Sequence, residues 1–290
     1  MTQTALPTTP AQDVAVSQLL YTLQLADNAL ILGHRLSEWT GHGPVLEQDI
    51  AITNISLDQL GAARSLYQHA ANQFNALEAP LKTGLFKSPA LSQRVVRAHG
   101  NHANATEDDL AFLRDAWDFR NILLAELPNR DWAYTIARSF FYDAFNYLQQ
   151  AALVNSADKA IGATAEKSLK EVEYHRRWSS EWIIRLGDGT EESHERMQNA
   201  VNDYWAYTGE LFTPAAVESQ MAAAGIAPDV AALKAAWDAY VQPVFAEAGL
   251  QIPQNKWAQE GGKEGRHTEH LGYLLAEMQF MQRSYPGMEW

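Results

Sequence analysis

Four acidic residues are spaced so that each falls on a different long helical segment of the chain. They are Asp27, Asp58, Asp143 and Glu171. Carboxylates that face one another inside a helical bundle are the ligands of di-iron sites, in which two helices each add a histidine three residues after the carboxylate. The i, i+3 spacing places both ligands on one face of a helix. The four acids therefore predict the layout of a di-iron carboxylate bundle.

Both histidines that such a site needs are missing. Gly61 stands three residues after Asp58, and Tyr174 stands three residues after Glu171. Glycine has no side chain that could bind a metal ion, and tyrosine is not the expected ligand of a di-iron oxygenase site. His175 is adjacent, but a shift of one residue turns a side chain by about 100° around the helix, away from the required position. The sequence therefore predicts six vestigial positions and no catalytic, cofactor-binding or metal-binding residue.

Carboxylates on the core-facing side of a helix need partners other than iron, because a buried charge is costly unless it is paired or bound to a metal ion. Asp27 lies in the apolar stripe of its helix together with His34, which could donate a hydrogen bond to a carboxylate. The candidate counter-charges lie within one or two helical turns of the acids and are Arg64, Arg138 and Lys170. We expect a polar bundle centre held by ion pairs. Any one of these acids, taken alone, is more simply explained as a helix-face residue or as half of a buried salt bridge than as a former metal ligand.

Apolar residues at helical spacing predict four long helices, over 14–39, 47–75, 131–155 and 158–186. Two helix pairs joined by a long crossover are the connectivity of a ferritin-like four-helix bundle. No segment has the pattern of a strand. The sequence therefore predicts an all-α fold with a ferritin-like four-helix bundle core.

The remaining segments complete the predicted domain organisation. Residues 1–15 are predicted to be a flexible leader, and 16–290 a single ferritin-like helical domain with an irregular insertion over 76–105. Thr106, with Asp109 three residues later, has the pattern of a capping box. Additional helices after the bundle are predicted over 190–210, 213–225, 228–248 and 268–284.

The stretch from Gly261 to Gly272 is the most distinctive local string. His267 and His270 are three residues apart and could bind a metal ion, but an isolated pair of histidines without further ligands is weak evidence. Thr268 fits better as the N-cap of the last helix. The glycines indicate a backbone that packs closely against another element or another chain.

Composition narrows the classes of function. The formal net charge of −13 argues against broad binding to nucleic acid or to an anionic membrane. The chain has no cysteine, which excludes disulfides and thiolate ligands. No apolar run is long enough for a transmembrane helix, and the start has no signal-peptide core. The expected location is the cytoplasm.

Several strings resemble one family, the C-type structural subunits of ring-1,2-phenylacetyl-CoA epoxidase (phenylacetate-CoA oxygenase). The resemblance covers most of the chain from about residue 17, and the chain departs from the family pattern at 76–105, where it is longer. The strings are LADNALILGHRLSEWTGHGP at 25–44, NISLDQLGAAR at 54–64, IARSFFYDAF at 136–145, KEVEYHRRWSSEWIIRLGDGT at 170–190 and GGKEGRHTEHLGYLLAEMQ at 261–279.

The resemblance implies a ferritin-like subunit without a working metal site. Such a subunit would support a homologous catalytic subunit that carries the di-iron centre and epoxidises the aromatic ring of phenylacetyl-CoA with O₂. The implied partners are that catalytic subunit, further copies within the complex and, transiently, a reductase subunit. The chain would belong to a monooxygenase without being catalytic itself. The alternative that the residues leave open is a self-sufficient di-iron or iron-binding enzyme of the same fold.

Overall fold

Four long helices form the centre of the fold, where the sequence predicts them. The computed structural model describes residues 10–96, 104–254, 257–285 and 288. Over that part the chain is helical, without strands. The helices are α1 (Pro10–Ser37), α2 (Leu46–Ala76), α3 (Ala79–Leu85), α4 (Pro89–Val96), α5 (Glu107–Phe112), α6 (Leu123–Glu126), α7 (Trp132–Leu153), α8 (Lys159–Gly187), α9 (Glu191–Tyr204), α10 (Gly209–Phe212), α11 (Ala216–Ala223), α12 (Lys234–Glu247), α13 (Glu269–Met278) and α14 (Phe280–Ser284).

The long helices pack as two pairs. α1 lies along α2, α7 lies along α8, and α2 contacts α8 across the bundle. The crossover between the pairs runs over residues 77–131 and contains α3 to α6. This is the predicted all-α ferritin-like architecture, with one long crossover connection and further helices after α8.

Side-chain caps fix where several helices begin. Asp131 starts α7 by accepting the backbone N–H of Tyr134, and Asp158 starts α8 by accepting two backbone N–H groups. The predicted capping box of Thr106 and Asp109 is present and satisfies the backbone N–H groups of both residues at the start of α5. Thr213 is not the N-cap of α11, which begins only at Ala216.

The two irregular segments are more helical than the sequence predicts. α1 begins at Pro10, so residues 10–15 belong to the first helix and not to a leader, while residues 1–9 lie outside the described part. The insertion over 76–105 contains α3 and α4. Its residues 97–103 are outside the described part.

The C-terminal glycines pack against the crossover, as their clustering predicts. A Cβ on Gly262 would clash with the carbonyl oxygen of Asn121, and Gly265 has a φ of +81°. The buried carboxylate of Glu210 holds this junction, since it accepts the backbone N–H groups of Leu123 at 2.7 Å and of Gly262 at 2.7 Å. The close approach to another element is therefore within the chain.

The added helices cover several sides of the bundle. α9 and α12 pack on α7 and α8, while α6 and α11 pack on α1 and α5 packs on α2. The cleft between α2 and α8 is lined by residues of those two helices alone. None of the helices in the described ranges is long and apolar enough to cross a membrane.

Candidate functional site

Asp27 lies in the middle of α1, fully buried, and its carboxylate is completely engaged by other protein groups. The Arg114 guanidinium forms a bidentate ion pair with it, with Nη1 donating to Oδ2 at 3.1 Å and Nη2 donating to Oδ1. The Tyr67 hydroxyl donates to Oδ1, and the backbone N–H of Arg120 donates to Oδ2 at 2.8 Å. A metal ion that bound Asp27 would have to displace a buried cation of this protein.

The crossover holds Arg114 in place. Its side chain is fully buried, donates to the carbonyl oxygens of Leu110 at 2.5 Å and Asp118 at 2.9 Å, and lies 4.3 Å from the centre of the Phe119 ring. Burial alone would lower the pKa of Arg114, but the charge of Asp27 raises it above its ordinary value. The guanidinium is therefore a permanent positive charge in the bundle interior.

The other three acids lie near His175. His175 is buried, and its Nε2 lies 3.0 Å from Oδ2 of Asp58, on α2. Asp143, on α7, is buried nearby, and burial raises its pKa to about 6 against smaller lowering effects from His175 and Ser179. Within the described residues, His175 Nδ1 and Asp143 Oδ2 have no hydrogen-bond partner.

His175, which the sequence places one residue after the position required of the ligand histidine, faces the core of the bundle. The buried positions of α8 include Val172, His175 and Ser179, whereas Tyr174 is 40% exposed. The core-facing stripe thus lies one residue later than the stripe through Glu171 and Tyr174, a rotation of about 100°. Sequence reasoning considered His175 but did not place it on the core-facing stripe, which the i, i+3, i+7 pattern of residues 172, 175 and 179 indicates.

Asp58 and Glu171 sit at the edge of the bundle, not at its centre. Both are partly exposed and line the cleft between α2 and α8, which has a volume of about 100 Å³ and is also lined by Gly61, Lys167 and Ser168. Burial, followed by the charge of Asp58, raises the pKa of Glu171. The four acids therefore divide into one ion-paired group at Asp27 and a second group around His175.

These residues do not fit a di-iron centre. The two helix positions that should carry histidines, Gly61 and Tyr174, both face outward. The carboxylate of Asp27 is already engaged by Arg114, so it is not free to bind a metal ion. Across the described ranges, no group of three or more histidine, aspartate or glutamate side chains converges so as to hold a metal ion.

Comparison with known proteins places the chain in a family. A family model described as "Phenylacetic acid catabolic protein" matches residues 1–290. The chain belongs to this family. Within it, the chain is 42% identical over 270 residues to the C-type subunit of the 1,2-phenylacetyl-CoA epoxidase of Escherichia coli (strain K12). That alignment covers 93% of this chain and 98% of the Escherichia coli protein, so the resemblance of the sequence strings is confirmed.

In this member of the phenylacetic acid catabolic family, none of the predicted counter-charges forms an ion pair with the four acids within the described residues, although the charge of Arg138 acts to lower the pKa of Asp143. Arg64 is exposed and pairs with Glu107, and Lys170 is exposed. Arg138 is buried but donates to the carbonyl oxygen of Leu127 at 2.5 Å, and burial lowers its pKa to about 10. His34 is not among the hydrogen-bond partners of Asp27, which receives its charge compensation from Arg114.

The C-terminal histidines have structural partners. His267 Nδ1 lies 2.8 Å from the buried carboxylate of Glu126, and its Nε2 lies 3.0 Å from the carbonyl oxygen of Phe119. Burial would lower the pKa of His267, but the hydrogen bond and charge of Glu126 raise it. Thr268 caps α13 through the N–H of His270, as predicted. His267 thus ties the last helix to the crossover.

Restoring histidines at the two vestigial positions should not create an iron site. We expect the double variant Gly61→His, Tyr174→His to hold only substoichiometric iron after expression with added iron, because both new imidazoles would point to solvent. The measurement is elemental analysis of the purified chain. Gly61→Ala is the matched control for the helix: its Cβ would have no atom within 4 Å, so α2 should gain up to about 1 kcal/mol of stability. Two tightly bound irons per double-variant chain would show that our orientation of these positions is wrong.

Proposed function

We propose that this chain is a non-catalytic structural subunit of a multicomponent phenylacetyl-CoA epoxidase that acts in aerobic phenylacetate degradation in the cytoplasm. The similarity to the C-type subunit of the Escherichia coli epoxidase supports the complex and its substrate. The observation that carries the structural role is the engagement of Asp27 by Arg114, Tyr67 and the Arg120 backbone. The interior cation performs the charge compensation that iron would supply in a catalytic relative.

The proposed partners follow from this role. The di-iron centre would belong to a homologous catalytic subunit, bound stably, and a reductase subunit would deliver electrons in transient encounters. The chain itself would contribute a rigid support. Its interior ion pair, aromatic core and capped helices are suited to that task, since none of them has to open for substrate. Self-association within the assembled complex is part of the proposal.

The deciding experiment compares the chain alone with the chain co-expressed with the catalytic subunit of the same organism. We expect the isolated chain to hold no stoichiometric iron and to show no epoxidation of phenylacetyl-CoA. The co-expressed pair should co-purify, hold iron, and become active once the remaining subunits and reductant are added. An isolated chain that contains two irons and consumes O₂ with the substrate would reject the structural role.

One observation favours the alternative, a self-sufficient iron-binding enzyme. His175 faces the bundle interior beside Asp58 and Asp143, and its Nδ1 is unpaired within the described residues. A metal bound there would stabilise the fold, because metal affinity for the native state adds to the free energy of unfolding. We expect no change in thermal stability when iron or a chelator is added. A chelator-sensitive melting temperature that His175→Gln abolishes would support the alternative.

A further inference from the structure

A second pocket lies where α12 packs on α8, and it has a volume of about 380 Å³. We call it the α8–α12 pocket. Concave pockets of this size are the usual binding sites of small molecules. Most of the side chains that line it are either cationic or aromatic. They are Lys170, Glu173, Tyr174, Arg176 and Arg177 on α8 and Tyr240 on α12.

Arg176 is held in this pocket by two aromatic rings. Its guanidinium carbon lies 3.5 Å from the centre of the Tyr147 ring, on α7, and 4.4 Å from the centre of the Tyr240 ring, on α12. The Tyr240 hydroxyl lies 2.8 Å from the hydroxyl of Ser180, which fixes the second ring. A guanidinium that is already positioned in this way loses little further side-chain entropy when it binds a ligand.

The hydrogen-bond donors of Arg176 have no partner in the described part of the chain. Its half-buried guanidinium forms neither a hydrogen bond nor an ion pair there. The buried Arg114 and Arg138, by contrast, donate to carboxylate or carbonyl oxygens. A planar guanidinium with free donors is suited to bind two oxygens of one phosphate or carboxylate group.

The lining of the α8–α12 pocket is positively charged, although the chain as a whole has a net charge of −13. Lys170, Arg176 and Arg177 are its three cations, and Glu173 is the one carboxylate among the lining residues, so the lining has a net charge of +2. Glu173 is exposed and forms no ion pair with a described residue. A phosphate group, which carries nearly two negative charges at neutral pH, matches this charge.

The carboxylates of the cleft between α2 and α8 do not line this pocket. Asp58 and Glu171 line that cleft, and so does Lys167. Burial and the charge of Asp58 raise the pKa of Glu171, and the charge of Lys167 acts against them, so Lys167 already has an acidic neighbour. Lys167 is therefore not among the cations of the α8–α12 pocket.

An exposed aromatic ring stands beside these cations. Tyr174 is 40% exposed and lines the pocket, and the Arg177 guanidinium lies 5.8 Å from its ring centre. Planar bases stack on exposed aromatic rings, and cations nearby hold the phosphates of the same ligand. A carboxylate-bearing peptide would match the cations alone and would leave this ring without a role.

We propose that the α8–α12 pocket binds a nucleotide, with its phosphate oxygens on Arg176 and its base on the ring of Tyr174. The site goes beyond the proposed function and does not depend on it, because all of its residues belong to this chain. Two sources supply the same chemistry. One is a free nucleotide, and the other is the nucleotide portion of a coenzyme A thioester.

The test is isothermal titration calorimetry of the purified full chain with three probes, which are inorganic phosphate, ADP and coenzyme A. We expect ADP to bind about 10-fold or more tightly than phosphate, because only ADP has a base that can stack. Tyr174→Ala should remove most of this difference. Arg176→Met should weaken ADP binding by about 10- to 100-fold, since it removes charged hydrogen bonds.

A gain of affinity and a matched control guard against effects of misfolding. Glu173→Gln should strengthen ADP binding by about 3-fold or more, because it removes the carboxylate that repels the phosphates. Arg185→Met removes one positive charge from the same helix at a residue that pairs with Glu181 and does not line the pocket, so its affinity should change by less than about 2-fold. Circular dichroism checks that each variant is folded.

The probes also distinguish the two sources. Tighter binding of coenzyme A than of ADP assigns the site to a coenzyme A thioester, and binding of ADP that is equal or tighter assigns it to a free nucleotide. The proposal is overturned if neither binds at millimolar concentration, if ADP binds no more tightly than phosphate, or if folded Arg176→Met and Glu173→Gln both bind like the unaltered chain. Each of these results leaves the proposed function intact, since a structural subunit needs no ligand of its own.

Discussion

Replacing Arg114 with methionine should lower the free energy of unfolding by about 3–5 kcal/mol. The substitution keeps most of the side-chain volume but leaves the carboxylate of Asp27 buried with only the Tyr67 hydroxyl and one backbone N–H as donors. It also removes the donors to the carbonyl oxygens of Leu110 and Asp118, so two hydrogen bonds within the crossover are lost. Equilibrium denaturation in urea or guanidinium chloride measures the effect.

Two further variants test whether the buried ion pair is the cause of the lost stability. Arg64→Met removes an arginine that is 73% exposed and 3.7 Å from Glu107, so its cost should stay below about 1 kcal/mol. The double variant Asp27→Asn, Arg114→Met should recover much of the lost stability, because the uncompensated charge is gone. If Arg114→Met costs no more than Arg64→Met, or the double variant recovers nothing, the ion pair is not what stabilises the bundle centre.

The course of the chain through the bundle could be predicted from local signals. Apolar spacing located α1, α2, α7 and α8, and caps such as Thr106 and Thr268 located starts of shorter helices. Both signals act within a few residues, so a single sequence contains them in full. The start of α1 at Pro10 was missed because the proline and threonine content suggested a loose segment, whereas proline is tolerated in the first turn of a helix.

The partner of Asp27 could not be predicted in this way. Arg114 lies 87 residues away, on the crossover, and enters the bundle only because α5 and the following turn pack on α2. The predicted partners, Arg64, Arg138 and Lys170, were chosen for closeness in sequence. In a bundle closed by a long crossover, the cation that pairs with a central carboxylate can come from the crossover instead of from the same helix pair.

The side of α8 that points to the bundle core could have been predicted from the sequence, but it was assigned incorrectly. Glu171, Tyr174 and Trp178 have helical spacing, but so do Val172, His175 and Ser179, and the second set is the core-facing one. The two stripes are adjacent on the helix surface. Trp178, which belongs to the stripe through Glu171, is also buried, so that stripe resembles a core-facing one. The choice between adjacent stripes depends on how α8 rotates against α2 and α7, which is a tertiary property.

The second large effect concerns Asp143, and its sign is unusual for a carboxylate. Its folded-state pKa is raised to about 6 from 3.8, so the native state holds this proton more tightly than the unfolded chain does. Its contribution to stability is therefore complete below about pH 4 and is lost as pH rises through 6. Above that range the charged form is buried beside His175 with one oxygen unpaired within the described residues.

Asp143→Asn should therefore stabilise the protein at pH 7.5 by roughly 2–3 kcal/mol and have little effect near pH 4. Asp158→Asn is the control of opposite sign. Asp158 is also buried, which alone would raise its pKa, but hydrogen bonds from His69 and Gln18 lower it to about 2. Losing that carboxylate should destabilise the protein at neutral pH, with a loss that shrinks as pH falls toward 2. Urea denaturation across this pH range measures both differences. A destabilised Asp143→Asn variant at pH 7.5 would mean that the buried carboxylate is bound by a cation or a donor strong enough to outweigh its desolvation.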